Sequence, residues 1–147
     1  MIIVEANHIR EMIASDNVKP LPVSISRDFG LLLETYPLLL PLGSSIDWSK
    51  VTDHAVVEWY EKTDQQLIEW ARTLRLSSCT HVAMWYNTRE PCLLSTFDFG
   101  IANLDTFTWG APGPRYMFGV DLVNDGYRCS FHSFIEVTGG PLLHGIL

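Results

Sequence analysis

The sequence predicts an α+β domain in which a mainly antiparallel sheet of about four to six strands carries one or more helices on one face. Three observations lead to this prediction: stretches of alternating apolar and polar residues after position 80, turn-rich connections between those stretches, and a helix start signal at Thr63. We expect one domain, 1–147, because this length suits one hydrophobic core and no repeat or Gly/Ser linker interrupts it.

The second half of the chain has the clearest strand signals. Strands are predicted over residues 82–86, 92–97, 115–123 and 127–137, and the turn Asn124-Asp125-Gly126 joins the last two. Gly126 is expected to supply the positive φ that such turns need. Residues 103–114 are predicted to form a long aromatic-bearing loop, and long loops in compact domains are often functional.

Residues 47–75 allow two interpretations. Residues 55–60 are rich in β-branched and aromatic side chains, and Thr63 with Gln66 forms a capping box, which predicts a strand, a turn and a helix over 64–75. The alternative is one helix over 49–75, since several apolar residues also fit the helical period. We favour strand, turn and helix because a capping box inside a helix has no free amide to satisfy.

The first third is predicted from weaker patterns. These indicate a short strand at 2–4, a helix over 6–14, an edge strand over 20–26 that contains two prolines, and a short helix that Asp28 caps and that runs through Glu34.

Composition excludes several functional classes. Seventeen acidic residues against ten Lys and Arg give a formal charge of -7, which disfavours direct nucleic-acid binding. The apolar run 38–40 is bounded by prolines and is far shorter than a membrane span, and residues 1–5 lack the pattern of a secretory signal. We therefore expect a cytoplasmic protein whose cysteines, Cys79, Cys92 and Cys129, are reduced thiols in the core.

The histidines and cysteines do not have the spacing of a metal or catalytic motif. Cys79 and His81, with Cys92 or His132 from neighbouring strands, are the nearest approach to a zinc site, and ordinary strand and core roles are favoured. Cys92 with His132 as its base is formally a nucleophile pair, but an apolar context raises a thiol pKa. Asp98-Phe99-Gly100 matches a kinase triplet without the other kinase motifs. We predict no catalytic residue, metal or cofactor, and hence no enzyme.

The distinctive feature is an acidic, aromatic stretch over residues 47–69, which has six acids and two lysines. One interpretation is a solvated face beside core aromatics. The other is a binding surface, because interfaces favour Trp and Tyr anchors while acidic rims steer basic partners. The residues 103–114 can extend such a surface. The candidate partner-binding residues are Asp53, Glu58, Trp59, Glu61, Asp64, Asp105 and Trp109.

In its small size, acidity and aromatic content, the chain resembles the immunity proteins of bacterial toxin–immunity pairs, including those of contact-dependent growth inhibition. The resemblance covers overall character and the acidic stretch 47–69. It implies a cognate toxin partner, commonly a basic nuclease domain, inhibited by stoichiometric binding. Charge and aromatic placement then suggest that Glu58, Glu61 and Asp64, flanked by Trp59, pair with the toxin's Lys and Arg side chains.

Two other functions stay open at this point. The first is a small-molecule-binding domain or minor enzyme with a pocket between the sheet and the 103–114 loop. The second is a structural subunit that buries Trp and Leu surface in a homo-oligomer. The oligomeric state itself does not follow from the sequence.

Overall fold

The computed structural model describes residues 2–39, 45–111 and 113–147. The strands are β1 Lys19–Pro20, β2 His54–Glu58, β3 His81–Trp85, β4 Leu93–Thr96, β5 Arg115–Val123, β6 Gly126–Val137 and β7 Leu142–Ile146. The α-helices are α1 Asn7–Ala14, α2 Val23–Leu33, α3 Asp64–Ala71, α4 Phe97–Ala102 and α5 Leu104–Thr108. The strands form a seven-stranded sheet in the order β1-β4-β3-β5-β6-β7-β2, and each neighbouring pair is antiparallel. The predicted fold class is confirmed, with more strands than expected.

Helices cover both faces of this sheet, whereas the prediction placed them on one. On one face α2 packs Phe29 against Phe118, with ring centroids 4.7 Å apart. On the other face α1, α3, α4 and α5 form a second cluster, in which Leu67 and Ile101 join Met84 of β3. The central strands are therefore buried on both sides, which explains why β3 is almost continuously apolar.

The strand, turn and helix predicted for the middle of the chain are confirmed. The Gln66 amide donates to Thr63 Oγ1 at 3.2 Å, and the Thr63 amide donates to the Gln66 side chain at 3.0 Å, so the capping box is complete. The expected end at residue 75 is wrong, because α3 ends at Ala71. The chain then becomes extended at Leu74, whose side chain is buried, and continues as a 3-10 helix over Arg75–Ser78.

Of the four predictions for the first third, the two strands are wrong, and the helix through Glu34 is right at its end but wrong at its start. Residues 3–5 form a 3-10 helix, and of the strand expected over 20–26 only Pro20 belongs to a strand, together with Lys19 in β1. Pro22 then stands at the N-cap of α2, where the missing amide costs nothing, so helix replaces the expected strand and Asp28 lies inside the helix instead of capping it. The helix over 6–14 is confirmed within one residue.

The second half departs from prediction at three places. The expected loop 103–114 contains α5, whose Leu104 and Phe107 are buried; Pro112 lies outside the described residues. Strand β7 was not predicted. The Asp98-Phe99-Gly100 triplet belongs to α4, and Gly100 allows that helix to approach β3, since a Cβ there would overlap the Val82 side chain. In the β5–β6 turn Asn124, not Gly126, takes the positive φ, at 42°.

Candidate functional site

A cleft of about 450 Å³ opens between the β2–α3 turn and the α4–α5 junction. One wall consists of Trp59, Tyr60, Lys62 and Asp64, and the opposite wall of residues 101–106. Leu67 and Leu104, both buried, contribute apolar surface from α3 and α5. The cleft thus combines aromatic rings, apolar surface and carboxylates in one place.

The aromatic wall is held by hydrogen bonds to the turn between β6 and β7. Trp59 Nε1 donates to the Gly140 carbonyl at 2.9 Å, and the Tyr60 hydroxyl donates to the Gly139 carbonyl at 2.5 Å. Gly139 has a φ of 77°, a conformation that favours glycine. Because both rings are anchored, the wall is pre-formed and little side-chain freedom remains to be lost on binding.

Asp64 owes its position to the start of α3. It is the first helical residue after the Thr63 cap, so its carboxylate lies near the positive end of the helix dipole. The capping box fixes where the helix begins, and with it where this carboxylate projects.

Asp105 and Trp109 lie on and just after α5. Asp105 Oδ1 accepts a hydrogen bond from the Thr106 amide at 2.8 Å. Asp105, Thr106 and Trp109 line a second, shallower recess of about 180 Å³ that shares two residues with the cleft. The Trp109 ring contacts His8 of α1 edge-on, with ring centroids 4.9 Å apart, and yet Trp109 is 69% exposed. An indole this exposed but laterally supported is suited to contact a partner.

None of the candidate carboxylates forms an ion pair with another described residue. Within the described ranges the ion pairs join Lys50 to Asp47, Arg72 to Asp98 and Arg128 to Asp121, so they involve none of the candidate acids. Lys62 is the only cation among the described residues that line the cleft. Because Lys62 forms no ion pair with Asp64 or Asp105 in the described ranges, the negative charge of these two carboxylates is available to an external cation.

The structure brings together some of the predicted site residues and separates others. Trp59, Asp64 and Asp105 line the cleft, and Trp109 lines the adjoining recess. Glu61 is exposed in the turn between the aromatic wall and α3.

Glu58 and Asp53 lie elsewhere. Glu58 alternates with Val57, which packs on the core beneath α3, so the Glu58 side chain points to the opposite face of the sheet. Asp53 lies just before the first residue of β2, about 16 Å from Glu58 along the strand. These two residues do not join the cleft of their own chain.

Sequence reasoning missed Lys62 and Asn103 in the cleft. The capping box alone could have placed Lys62, since it fixes residues 59–63 as a turn that opens onto the start of α3. Asn103 had no such signal, because its place depends on the break between α4 and α5. There its side chain donates to the Phe99 carbonyl at 2.9 Å.

The groups considered for nucleophilic or metal chemistry have other partners. Burial raises the pKa of Cys92 to about 12, and its sulfur lies 3.4 Å from the Ser26 hydroxyl. His132 Nδ1 lies 2.8 Å from the Tyr36 hydroxyl. Cys79 and Cys92 are buried free thiols, and Cys129 is half-buried. Within the described part of the chain, no three His, Cys, Asp or Glu side chains are placed to hold a metal ion.

A larger depression of about 640 Å³ lies between residues 72–80, which follow α3, and residues 96–98 at the start of α4. Its two charged side chains, Arg72 and Asp98, bind each other at 3.2 Å. It therefore lacks the uncompensated charge that distinguishes the cleft.

Comparison with known proteins found no family model and no curated protein that matches this chain. In the described residues, no helix has both the length and the apolar character needed to cross a membrane.

Proposed function

We propose that the chain is an immunity-type binding protein, which holds a basic surface of a cognate toxin domain and neutralises it stoichiometrically. The observation that carries this proposal is the cleft, in which Asp64 and Asp105 stand on opposite walls beside the anchored Trp59 indole. The two carboxylates have no ion-pair partner within the described ranges.

A guanidinium or ammonium group is the chemical match for this arrangement. A carboxylate accepts charge-assisted hydrogen bonds from Arg, and an indole face attracts the same cation through its π electrons. Arg and Lys that hold phosphate in a nuclease site have this chemistry, and their capture in the cleft would remove them from the reaction. The net charge of -7 would speed the encounter with such a domain.

A partner larger than a small molecule accounts for more of the surface. The cleft alone has the volume of a typical ligand pocket. However, the exposed Trp109 in the adjoining recess and the exposed Glu61 beyond the rim extend the acidic, aromatic surface past the reach of such a ligand. This extension favours a protein partner over the small-molecule alternative.

The test uses matched baits. The wild-type chain, the cleft variant Asp64→Lys/Asp105→Lys and the control variant Asp28→Lys/Glu34→Lys are each immobilised and exposed to lysate of the native host. Asp28 on α2 and Glu34 at its C-cap are exposed, across the sheet from the cleft, and both double variants change the net charge equally. We expect wild type and control to retain one basic protein at equal stoichiometry, and the cleft variant to bind it at least about tenfold more weakly, about 1.4 kcal/mol.

Expression of the captured protein alone and with the chain then tests the immunity function. The captured protein is expected to arrest growth alone and to be harmless with wild type, but not with the cleft variant. Equal capture by cleft and control variants would remove the cleft from the interface. A captured protein that has no effect on growth would refute the immunity function while leaving the cleft a protein-binding site.

A further inference from the structure

The two edges of the sheet differ in how they are protected. Edge strands invite pairing with another chain, and proteins usually guard them with short length, proline or lysine. At one edge β1 has two residues, Lys19 and Pro20, so it is guarded in all three ways. At the other edge β2 has five residues, His-Ala-Val-Val-Glu, with neither proline nor lysine and a regular register against β7.

The backbone groups of β2 divide into an inner and an outer set. The Leu147 amide donates to the Asp53 carbonyl and the Trp59 amide donates to the Pro141 carbonyl, both at 3.0 Å. Hydrogen-bonded positions alternate in an antiparallel ladder, so odd-numbered residues of β2 face β7. The amides and carbonyls of His54, Val56 and Glu58 point outward, and in the described ranges no backbone group pairs with them.

The side chains of these three residues share one face. His54 is fixed there by a 2.8 Å contact of its Nδ1 with the Val51 carbonyl and by the nearby Trp48 ring. Val56 is 45% exposed, and Leu142, which lies opposite Glu58 on β7, is 44% exposed. The open edge therefore also carries apolar surface.

We infer that β2 pairs with β2 of a second copy of this chain, antiparallel and two-fold symmetric about Val56. In this register Val56 lies opposite Val56, and His54 lies opposite Glu58 on both sides of the axis. The outward groups then form about six backbone hydrogen bonds between the copies. Each imidazole faces a carboxylate across the strands, and opposite-charge or hydrogen-bonding pairs in this position are favourable. The strand is thus complementary to itself, which favours a second copy over an unrelated segment.

The same register has a consequence for the cleft. Asp53 of one copy comes opposite Trp59 of the other, on the face where the Trp59 ring packs. The dimer would bring to each cleft a carboxylate that the chain's own fold places at the far end of β2. The pairing itself does not depend on the proposed function, since it needs no toxin.

The inference is tested by sedimentation equilibrium over a concentration series. Wild type is expected to change from the 16.7 kDa monomer to twice that mass with rising concentration. Val56→Lys places two ammonium groups together at the axis and should weaken dimerisation at least about tenfold. The matched control is Val23→Lys, because Val23 is 40% exposed at the start of α2 and makes the same charge change away from β2. Circular dichroism checks that both variants stay folded.

A second variant tests the register. Hydrogen-bonded antiparallel pairs place Cα atoms about 5.5 Å apart, a distance that a disulfide can span. Val56→Cys should therefore form a covalent dimer on mild oxidation, whereas Val23→Cys and wild type should not. Wild type that stays monomeric up to about 1 mM would overturn the inference. A dimer that persists unchanged in Val56→Lys would also overturn it. If wild type is monomeric and Val56→Lys abolishes capture of the toxin, the edge of β2 binds the foreign partner and not a second copy, and the inference is wrong.

Discussion

Removal of the Tyr116 hydroxyl should destabilise the protein through the buried carboxylate of Glu136. Glu136 is 2% exposed, and its Oε2 accepts hydrogen bonds from the Tyr116 hydroxyl at 2.7 Å and from the Ile46 amide at 3.0 Å. In the described ranges it has no salt bridge to Lys or Arg. Burial, together with the neighbouring Glu136 carboxylate, raises the pKa of Tyr116, so the phenol keeps its proton and remains a donor.

Hydrogen bonds to charged groups contribute about 1.5–3 kcal/mol to stability, and a buried acceptor that loses its donor cannot turn to water. We expect Tyr116→Phe to lower the free energy of unfolding by about 2 kcal/mol. Urea unfolding followed by tryptophan fluorescence and circular dichroism measures the change, and the m-value should stay constant.

The matched control is Tyr36→Phe. The Tyr36 hydroxyl contacts the His132 side chain at 2.8 Å, but that contact is at the surface. Its loss should cost less than about 1 kcal/mol, because water can replace the partner. Equal losses for the two variants would refute the argument that burial, and not the bond itself, sets the magnitude.

Three other changes have defined outcomes. Thr63→Ala should cost about 1 kcal/mol in urea unfolding by removing the α3 cap, and Thr63→Ser should restore most of it; no recovery with Ser would contradict a capping role. Gly100→Ala should cost about 1–3 kcal/mol because its Cβ overlaps Val82, whereas Gly126→Ala, whose Cβ makes only an ordinary 3.8 Å contact with the Val123 carbonyl oxygen, should cost less; the reverse order would refute the close approach of α4 to β3. Burial lowers the pKa of His144 despite the opposing charge of Glu136. As the pH falls below about 6.5, the unfolded chain therefore binds a proton at this residue before the folded chain does, and stability should decline from there towards the folded-state pKa. The melting temperature measured against pH tests this, since the same pH profile in His144→Gln would exclude His144 as the cause.

Local signals predicted the parts of the fold that local chemistry determines. The capping box at Thr63 located the start of α3 correctly, since it depends on residues three positions apart. The predictions failed where contacts between residues far apart in the sequence determine the secondary structure. Leu21, Val23 and Ile25 alternate like a strand, but Pro22 and the packing of Phe29 against the sheet make this segment a helix. Strand β7 is short and contains Gly145, so its pairing with β2 and β6 was not visible locally.

The candidate site shows the same division. Composition identified the acidic, aromatic stretch and named Asp105 in the following segment 103–114. The fold then brought Asp64 and Trp59 of the stretch together with Asp105, which lies 41 positions further along than Asp64. Because side chains alternate along β2, Glu58 lies on the face of the sheet opposite to Val57. A sequence pattern indicates which residue types are enriched, but the register of an edge strand decides which of them meet.

The bond between the Trp59 indole and the Gly140 carbonyl joins residues 81 positions apart. A contact across so long a stretch of chain costs more loop-closure entropy than a local contact does. During synthesis the aromatic wall has no support until residues 139–146 have left the ribosome. A product truncated before Gly139 would keep every acidic residue of the chain but lose both carbonyl acceptors of the aromatic wall, so we expect it to lack the cleft that the proposed function requires.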